Sequence, residues 1–265
     1  MIGWVAAGAT LGAVLALLAL APAAWLAAAV AGATEQRLLL ADAHGTVWAG
    51  SAVPVLTGGQ GSSDASALPG RLHWRLGLDG GALALRARHA CCLNGELLMR
   101  WTPGWGRSRV ELQPEPGPQG EPGVVGQWPA AWLVGLGTPW NTLQPSGSIR
   151  VAGTGLVVES VQGRWLFDGR VVVDLDAMAS RISTLDELGS YRLVLEGDTA
   201  HGEAAQVQLS TLRGALQLSG RGEWAASKLR FQGQAGAAAG SEAMLNNLLN
   251  IIGRRQGALS VISIG

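Results

Sequence analysis

The chain has 265 residues with 19 basic and 19 acidic side chains, so no net field draws it toward nucleic acid or an anionic substrate. Only 14% of residues are charged and 39 are glycine, a turn-rich, low-charge composition that argues for extended β-structure and against a helical bundle. Lys228 is the only lysine, and eleven Trp stand against one Tyr and two Phe.

Residues 1–34 carry no charged side chain. Ile2 to Ala33 is a run of Ala, Leu, Val and Gly, longer than the ~18–20 residues that cross a bilayer core. Trp4 and Trp25 would stand about 31 Å apart on a continuous helix, the spacing of aromatic anchors at two membrane interfaces. Residues 1–33 therefore read as an uncleaved transmembrane anchor. A cleaved signal peptide is the competing reading, and Ala31-Gly32-Ala33 suits it; the missing basic lead and the long apolar run count against it. No Lys or Arg precedes the run and Arg37 follows it, so charge does not encode orientation.

Beyond a connector at 34–37, Leu38–Leu40 and His44–Gly50 read as strand, with Val47 and Ala49 on one face and Thr46 and Trp48 on the other. Thr57–Ala67 is Gly/Ser-rich and reads as a loop. Leu72, Trp74 and Leu76 alternate with His73 and Arg75, and after Gly80-Gly81 the pattern resumes, with Leu83 and Leu85 against Arg86 and Arg88. Asn94-Gly95 has the signature of a tight hairpin. Leu97–Trp101 and Arg107–Leu112 are further strands around Pro103-Gly104.

Residues 113–127 are rich in Pro and Gly and read as a hinge, dividing a first β-rich half (38–112) from a second (128–265). Pro129 opens a short helix over Ala130–Gly137 carrying Trp132, Leu133 and Leu136. Alternating strands follow from Gly147 to Leu175, with turns expected at Gly153–Gly155, Gly163 and Asp168-Gly169. Ile182, Leu185 and Leu188 sit at helical spacing, with Gly189 as the stop. Tyr191–Glu196, Ala205–Leu209, Gly214–Leu218 and Leu229–Gln232 are strands. A helix then runs from Ser241 to Ile252 with Met244, Leu245, Leu248, Leu249 and Ile252 on one stripe, and Ala258–Ile264 is a last strand. A loose repeat, Gly then alternating apolar residues, recurs at Gly70, Gly147 and Gly214. The expected fold is mainly β: one N-terminal transmembrane helix, then a curved antiparallel sheet with a few short helices.

Chemistry is sparse in the sequence. There is no Gly-x-Ser-x-Gly, no Walker loop and no dinucleotide fingerprint after a strand. His89, Cys91 and Cys92 are the nearest approach to a metal cluster, but adjacent residues of a strand point to opposite faces and no fourth ligand lies nearby. The ordinary reading is two buried thiols; a vicinal disulfide or an intermolecular bridge is the alternative. Asp174 and Asp176 share a strand face, and without a third acid they read as a solvated edge. Trp128, Trp132 and Trp140 cluster around the short helix, as core filling or as a carbohydrate or lipid platform. The C-terminal stripe reads either as a partner helix or as a helix packed on its own sheet. No cofactor, metal or catalytic residue is called, and no small-molecule substrate or nucleic acid is expected.

Leu136-Gly137-Thr138-Pro139-Trp140-Asn141 through Gly147, Arg181-Ile182-Ser183 with Leu188-Gly189-Ser190-Tyr191-Arg192, and Gly214 through Gly220 to Trp224 together resemble protein N of the bacterial type II secretion system. Gly45–Gly50, Leu68-Pro69-Gly70 with Trp74, and Glu242 through Leu248 to Arg254 are similar too. The uncharged N-terminus departs from the short basic lead usual in that family. The resemblance implies a non-enzymatic accessory component, anchored once in the inner membrane with its bulk in the periplasm, in the export of folded proteins across the outer membrane. Its implied partners are the inner-membrane platform and the secretin. An alternative function is a periplasmic lipid-binding or lipid-transfer module with a curved β-groove.

Overall fold

The computed structural model describes residue 12 and residues 16–116, 120–162, 164–198, 204–225 and 228–265. Its frame is a 16-stranded antiparallel sheet. The first strands are β1 (Leu38–Gly45), β2 (Ala49–Thr57), β3 (Ala65–Ala67), β4 (Leu72–Asp79), β5 (Ala82–His89), β6 (Gly95–Gly104), β7 (Arg107–Pro116) and β8 (Val124–Pro129). The later ones are β9 (Pro145–Val161), β10 (Arg164–Ser180), β11 (Gly189–Gly197), β12 (Ala205–Gly214), β13 (Leu216–Ala225), β14 (Lys228–Ala237), β15 (Arg254–Gln256) and β16 (Leu259–Ile264). The helices are α1 (Ala23–Ala33), a 3-10 helix (Ala130–Leu136), α2 (Trp140–Leu143) and α3 (Glu242–Ile252). The strands run β1-β2-β4-β5-β6-β7-β9-β10-β11-β12-β13-β14-β16-β15, with β3 added to β2 and β8 to β9. Short turns between successive strands make this meander the economical topology.

The mainly β, antiparallel expectation holds. Several local readings are corrected. Thr46–Trp48 are the turn between β1 and β2 and not strand, because Gly45 takes φ +90° and the chain reverses there. The 57–67 loop ends in β3, which pairs Ala65–Ala67 with Val55–Thr57. The Asn-Gly hairpin is a longer turn over 90–94, in which the Cys92 and Leu93 amides donate to the His89 carbonyl. The Asn94 amide group bridges to the Glu121 and Val124 carbonyls instead of closing a two-residue turn. Gly153–Gly155 and Asp168-Gly169 are not turns. They are a register irregularity within β9 and β10, two 17-residue strands, with Gly169 at φ +103° absorbing the shift. Gly163 lies outside the described residues.

Residues 181–188 form no helix. The Ser183 amide donates to the Ser180 carbonyl and the Ser183 hydroxyl accepts from the Leu185 amide, a local turn that outcompetes the helix. Ile182, Leu185 and Leu188 all reach the core from it, which is why their spacing looked helical. Residues 113–127 comprise the end of β7 and the start of β8, and β7 hydrogen-bonds directly to β9.

Among the described residues, no helix is long and apolar enough to cross a membrane. Residues 16–19 are helical, the chain breaks at 20–22, and α1 starts at Ala23 after Pro22, whose ring fixes an extended entry. Pro22 bridges to Thr46, the Val47 amide donates to the Ala21 carbonyl, and Trp48 Nε1 donates to the Leu18 carbonyl. The apolar run therefore joins the sheet at the β1–β2 turn. α1 packs on β1 and β2, burying Ala23 with Ala52 and Trp74.

Candidate functional site

The alternation seen in each strand adds up across the sheet. Reading partners from strand to strand, Leu78, Leu83, Trp101, Val110, Val158 and Phe167 form one continuous row over β4, β5, β6, β7, β9 and β10. Leu76, Leu85, Met99, Leu112 and Leu156 form the next. Past the irregularity the same face continues with Val171, Leu195, Val207, Gly222 and Phe231. One face is thus apolar nearly throughout, since a period of two puts alternate residues of each strand on the same side.

The opposite face carries the charge, and its ion pairs cross between strands. Arg107 and Arg109 both reach Glu159, which is 6% exposed, at 2.8 and 2.9 Å. Arg86 and Arg88 converge on Glu96; burial pushes its carboxyl up, and hydrogen bonds from the two guanidiniums outweigh that and hold it below the usual range. Arg192 grips Asp174 through two hydrogen bonds, at 2.6 and 2.9 Å. Asp174 is therefore one end of a cross-strand ion pair and not half of a carboxylate dyad. A cleft of about 890 Å³ opens on this face, lined by His44, Ser51, His73, Arg75, Arg88 and Glu96, with Trp74 and glycines among the rest.

Helices cover the apolar face at its ends. α1 lies over the β2–β4 end. α3 buries Leu245, Leu248 and Leu249 against Leu188, Tyr191, Leu216 and Ala235, with Ile252 packed at the margin. Met244 points away and is 41% exposed, as is Ile251 at 54%. The stripe thus packs mainly on its own sheet. No side chain caps α3 at Ser241, while Ser260 Oγ donates to the Leu249 carbonyl.

The motif residues sit where the backbone is crowded. Gly189 and Gly214 pair across β11 and β12 at φ +151° and +126°, and a Cβ on Gly214 would lie 2.2 Å from the Gly189 Cα. Ser190 Oγ accepts from the Ala177 amide and from Arg213 Nε. Tyr191 is 3% exposed with an unpartnered hydroxyl, and burial pushes its phenol up. Gly220 leaves room for the Phe231 ring, whose Cζ would meet a Cβ there at 2.3 Å. Gly147 packs against the Asp176 and Ala177 carbonyls. Gly137 ends the 3-10 helix at φ +76°, Thr138-Pro139 is cis, and α2 begins at Trp140. Asn141 Nδ2 donates to Asp64, tying α2 to the loop before β3. Trp128, Trp132 and Trp140 are half-buried, and Trp132 Nε1 donates to the Ser66 carbonyl. Leu188 through Arg192 and Gly214 come together at the α3 end of the sheet; Gly137 through Asn141 line the neighbouring loop. Trp25 is 54% exposed on α1, and Trp4 lies outside the described residues.

Cys91 and Cys92 are joined as a vicinal disulfide. The turn, and not a strand, brings their sulfurs to one side, which strand reasoning could not anticipate. His89, 3% exposed, faces them with neither ring nitrogen partnered. With both sulfurs bonded to each other, the trio offers no thiolate pair to a metal.

Residues 36–261 match the family model for protein N of the type II secretion system (T2SS), and the chain belongs to that family. Comparison with curated proteins and with solved structures returns no match.

Proposed function

We propose that this member of the type II secretion system protein N family is an inner-membrane-anchored accessory component that acts by binding other secretion proteins, without catalysis. The family match over residues 36–261 carries the reading. The uncharged run at 1–34 supports the anchor, with the sheet in the periplasm; the break at 20–22 and the packing of α1 on β1 and β2 put Trp25 with the folded part and not at the flank of one continuous helix.

An open sheet supplies the binding surfaces. Its ends are β1 and β15, and each is guarded. At β1 a register shift between Ala41 and His44 and the Arg71–Asp42 pair at 2.6 Å blunt the edge; β15 is three residues long with exposed Arg254 and Arg255. Such guarding opposes indiscriminate pairing and admits a partner strand of matching charge. The Pro/Gly-rich stretch at 113–127 links the halves in this reading, and the direct pairing of β7 with β9 holds them in one sheet. The partners are the inner-membrane platform and the secretin.

Crosslinking and mass spectrometry of the tagged full-length protein in its native membranes tests this. Recovery of platform proteins or secretin, reduced by charge reversal at Asp42, Arg254 and Arg255, is the expected result. Intact recovery and intact secretion after reversal at both edges, and after Met244→Glu and Ile251→Glu on α3, would remove the bridging role.

A further inference from the structure

We infer that the uncovered middle of the apolar face binds the acyl chains of phospholipid. The described helices pack on β1–β3, β9, β11 and β13–β16, so among the described residues no helix is laid along the row Leu78, Leu83, Trp101, Val110, Val158 and Phe167. Every member is half-buried or exposed: Leu78 is 82% exposed and Trp101 42%, while next to Phe167 on the same face Trp165 is 50% exposed. Six strands at ~4.8 Å give the row a span of about 24 Å. That exceeds the half-thickness of a bilayer's hydrocarbon core, about 15 Å, so extended acyl chains fit along or across it.

Three observations select lipid over protein as the occupant. First, the charged residues are segregated onto the other face, and in this row the only polar side-chain atom is the indole nitrogen of Trp101, already donating to Ser108 Oγ at 2.8 Å. A protein interface of this extent would carry a hydrogen bond per ~100–200 Å², and the row itself has none left to make; the polar atoms of this face, the Ser108 and Ser160 hydroxyls and the Trp165 indole, lie together at its rim. Second, the row lies at the rim where the apolar N-terminal run joins the fold. The Leu76 amide donates to the Trp48 carbonyl at 2.7 Å, and Trp48 Nε1 donates to the Leu18 carbonyl at 2.7 Å. The face therefore opens beside the segment that the anchoring reading puts in the bilayer. Third, this rim is furnished with Trp48, Trp101, Trp105 at the β6–β7 tip, and Trp165, the side chain enriched where hydrocarbon meets headgroup. The inference rests on the anchoring part of the function proposed above and not on partner binding.

The test uses the full-length chain in phosphate-labelled cells, with a photoreactive amino acid placed singly at Val110, Val158, Trp105, Gln113 or Gln208. The two glutamines lie on the charged face. The expected result is labelled phospholipid attached at Val110 and Val158, at least tenfold above Gln113 and Gln208. Labelling at Trp105 alone would mean that only the tip touches the bilayer, and would overturn the inference. Adducts of protein, either another protein or a second copy, at Val110 and Val158 would overturn it too, as would equal or absent labelling on both faces. Alkaline extraction of the same membranes tests the anchor separately, so failure of the anchor is told apart from failure of lipid binding. As a second measurement, phospholipid retained by purified Val110→Ser/Val158→Ser protein falls several-fold, with thermal unfolding checked to show that the variant is folded.

Discussion

Truncation of α3 separates a structural helix from a docking helix. Leu245 is fully buried against Leu188, Tyr191 and Leu216. Leu245→Ala removes three heavy atoms from a site held by the Ser260–Leu249 bond and by the sheet behind, so the cavity collapses little and the cost is about 3 kcal/mol. At roughly 2–4 °C per kcal/mol for a domain of this size, the unfolding midpoint falls by about 6–12 °C. Met244→Ala, one residue away on the exposed side, costs less than about 0.5 kcal/mol and leaves the midpoint within about 2 °C. Tryptophan fluorescence of the full-length protein in detergent, heated at one fixed rate, reads both. The same pair is scored for copurification with secretion partners. An unchanged midpoint in Leu245→Ala would refute the packing argument, and a Met244→Ala variant that unfolds early would refute the assignment of its face.

Gly220→Val drives a side chain into the Phe231 ring and costs about 1–3 kcal/mol; adding Phe231→Leu recovers part of it, and additive losses in a double-mutant cycle would contradict the contact. Glu159→Gln costs about 1–3 kcal/mol because two arginines share one buried carboxylate, whereas Glu121→Gln, at an exposed pair with Arg150, costs under about 0.5 kcal/mol in the same denaturation series. Burial, with the charge of His73 adding to it, holds His89 below its ordinary value of 6.5, so the unfolded chain takes up this proton first. The contribution of neutral His89 is complete above pH 6.5 and is lost as pH falls through and below it; His89→Gln flattens that part of the stability profile. Alkylation of the unreduced, unfolded chain labels no cysteine and labels two after reduction; labelling without reductant would contradict the Cys91–Cys92 bond.

Much of the sheet is legible in single strands. Leu72, Trp74 and Leu76 against His73 and Arg75 show a half-buried strand because the period of two is uninterrupted over that stretch. The reading fails where alternation and turn chemistry disagree with tertiary pairing. Val47 and Trp48 alternate like strand residues, yet Val47 lends its carbonyl to Trp74 Nε1 and Trp48 its indole to the Leu18 carbonyl, so both serve a turn. Gly153–Gly155 looked like a reversal because glycine marks turns and bulges alike, and only pairing with β10 distinguishes them. The apolar row was invisible for a different reason. Leu83 and Val158 are 75 positions apart, and nothing local states that their strands share a face in register. The ion pairs of Arg107 and Arg109 with Glu159 were missed likewise; charge at matching strand phase was the only signal, and it does not name a partner.

The small core explains why a face so apolar stays open. Among the described residues the largest fully buried side chains are Leu98, Leu245, Leu249 and Ser260, few for a sheet of this extent, and Leu98 lies on the charged side. Stability then rests on backbone pairing, cross-strand ion pairs and two local clusters, one under α1 and one under α3. Among the described residues no second layer closes the strands between them, and a hydrophobic strip of that length in water is an aggregation hazard. A bilayer beside the rim, with acyl chains along the row, removes the hazard without a second sheet. It also leaves β1 and β15 free, since the sheet edges and the apolar face share no residue of that row. On these readings partner binding and lipid binding are separable by mutation: charge reversal at Asp42 or Arg254 changes copurification and leaves lipid labelling at Val110 unchanged, and Val158→Ser does the reverse.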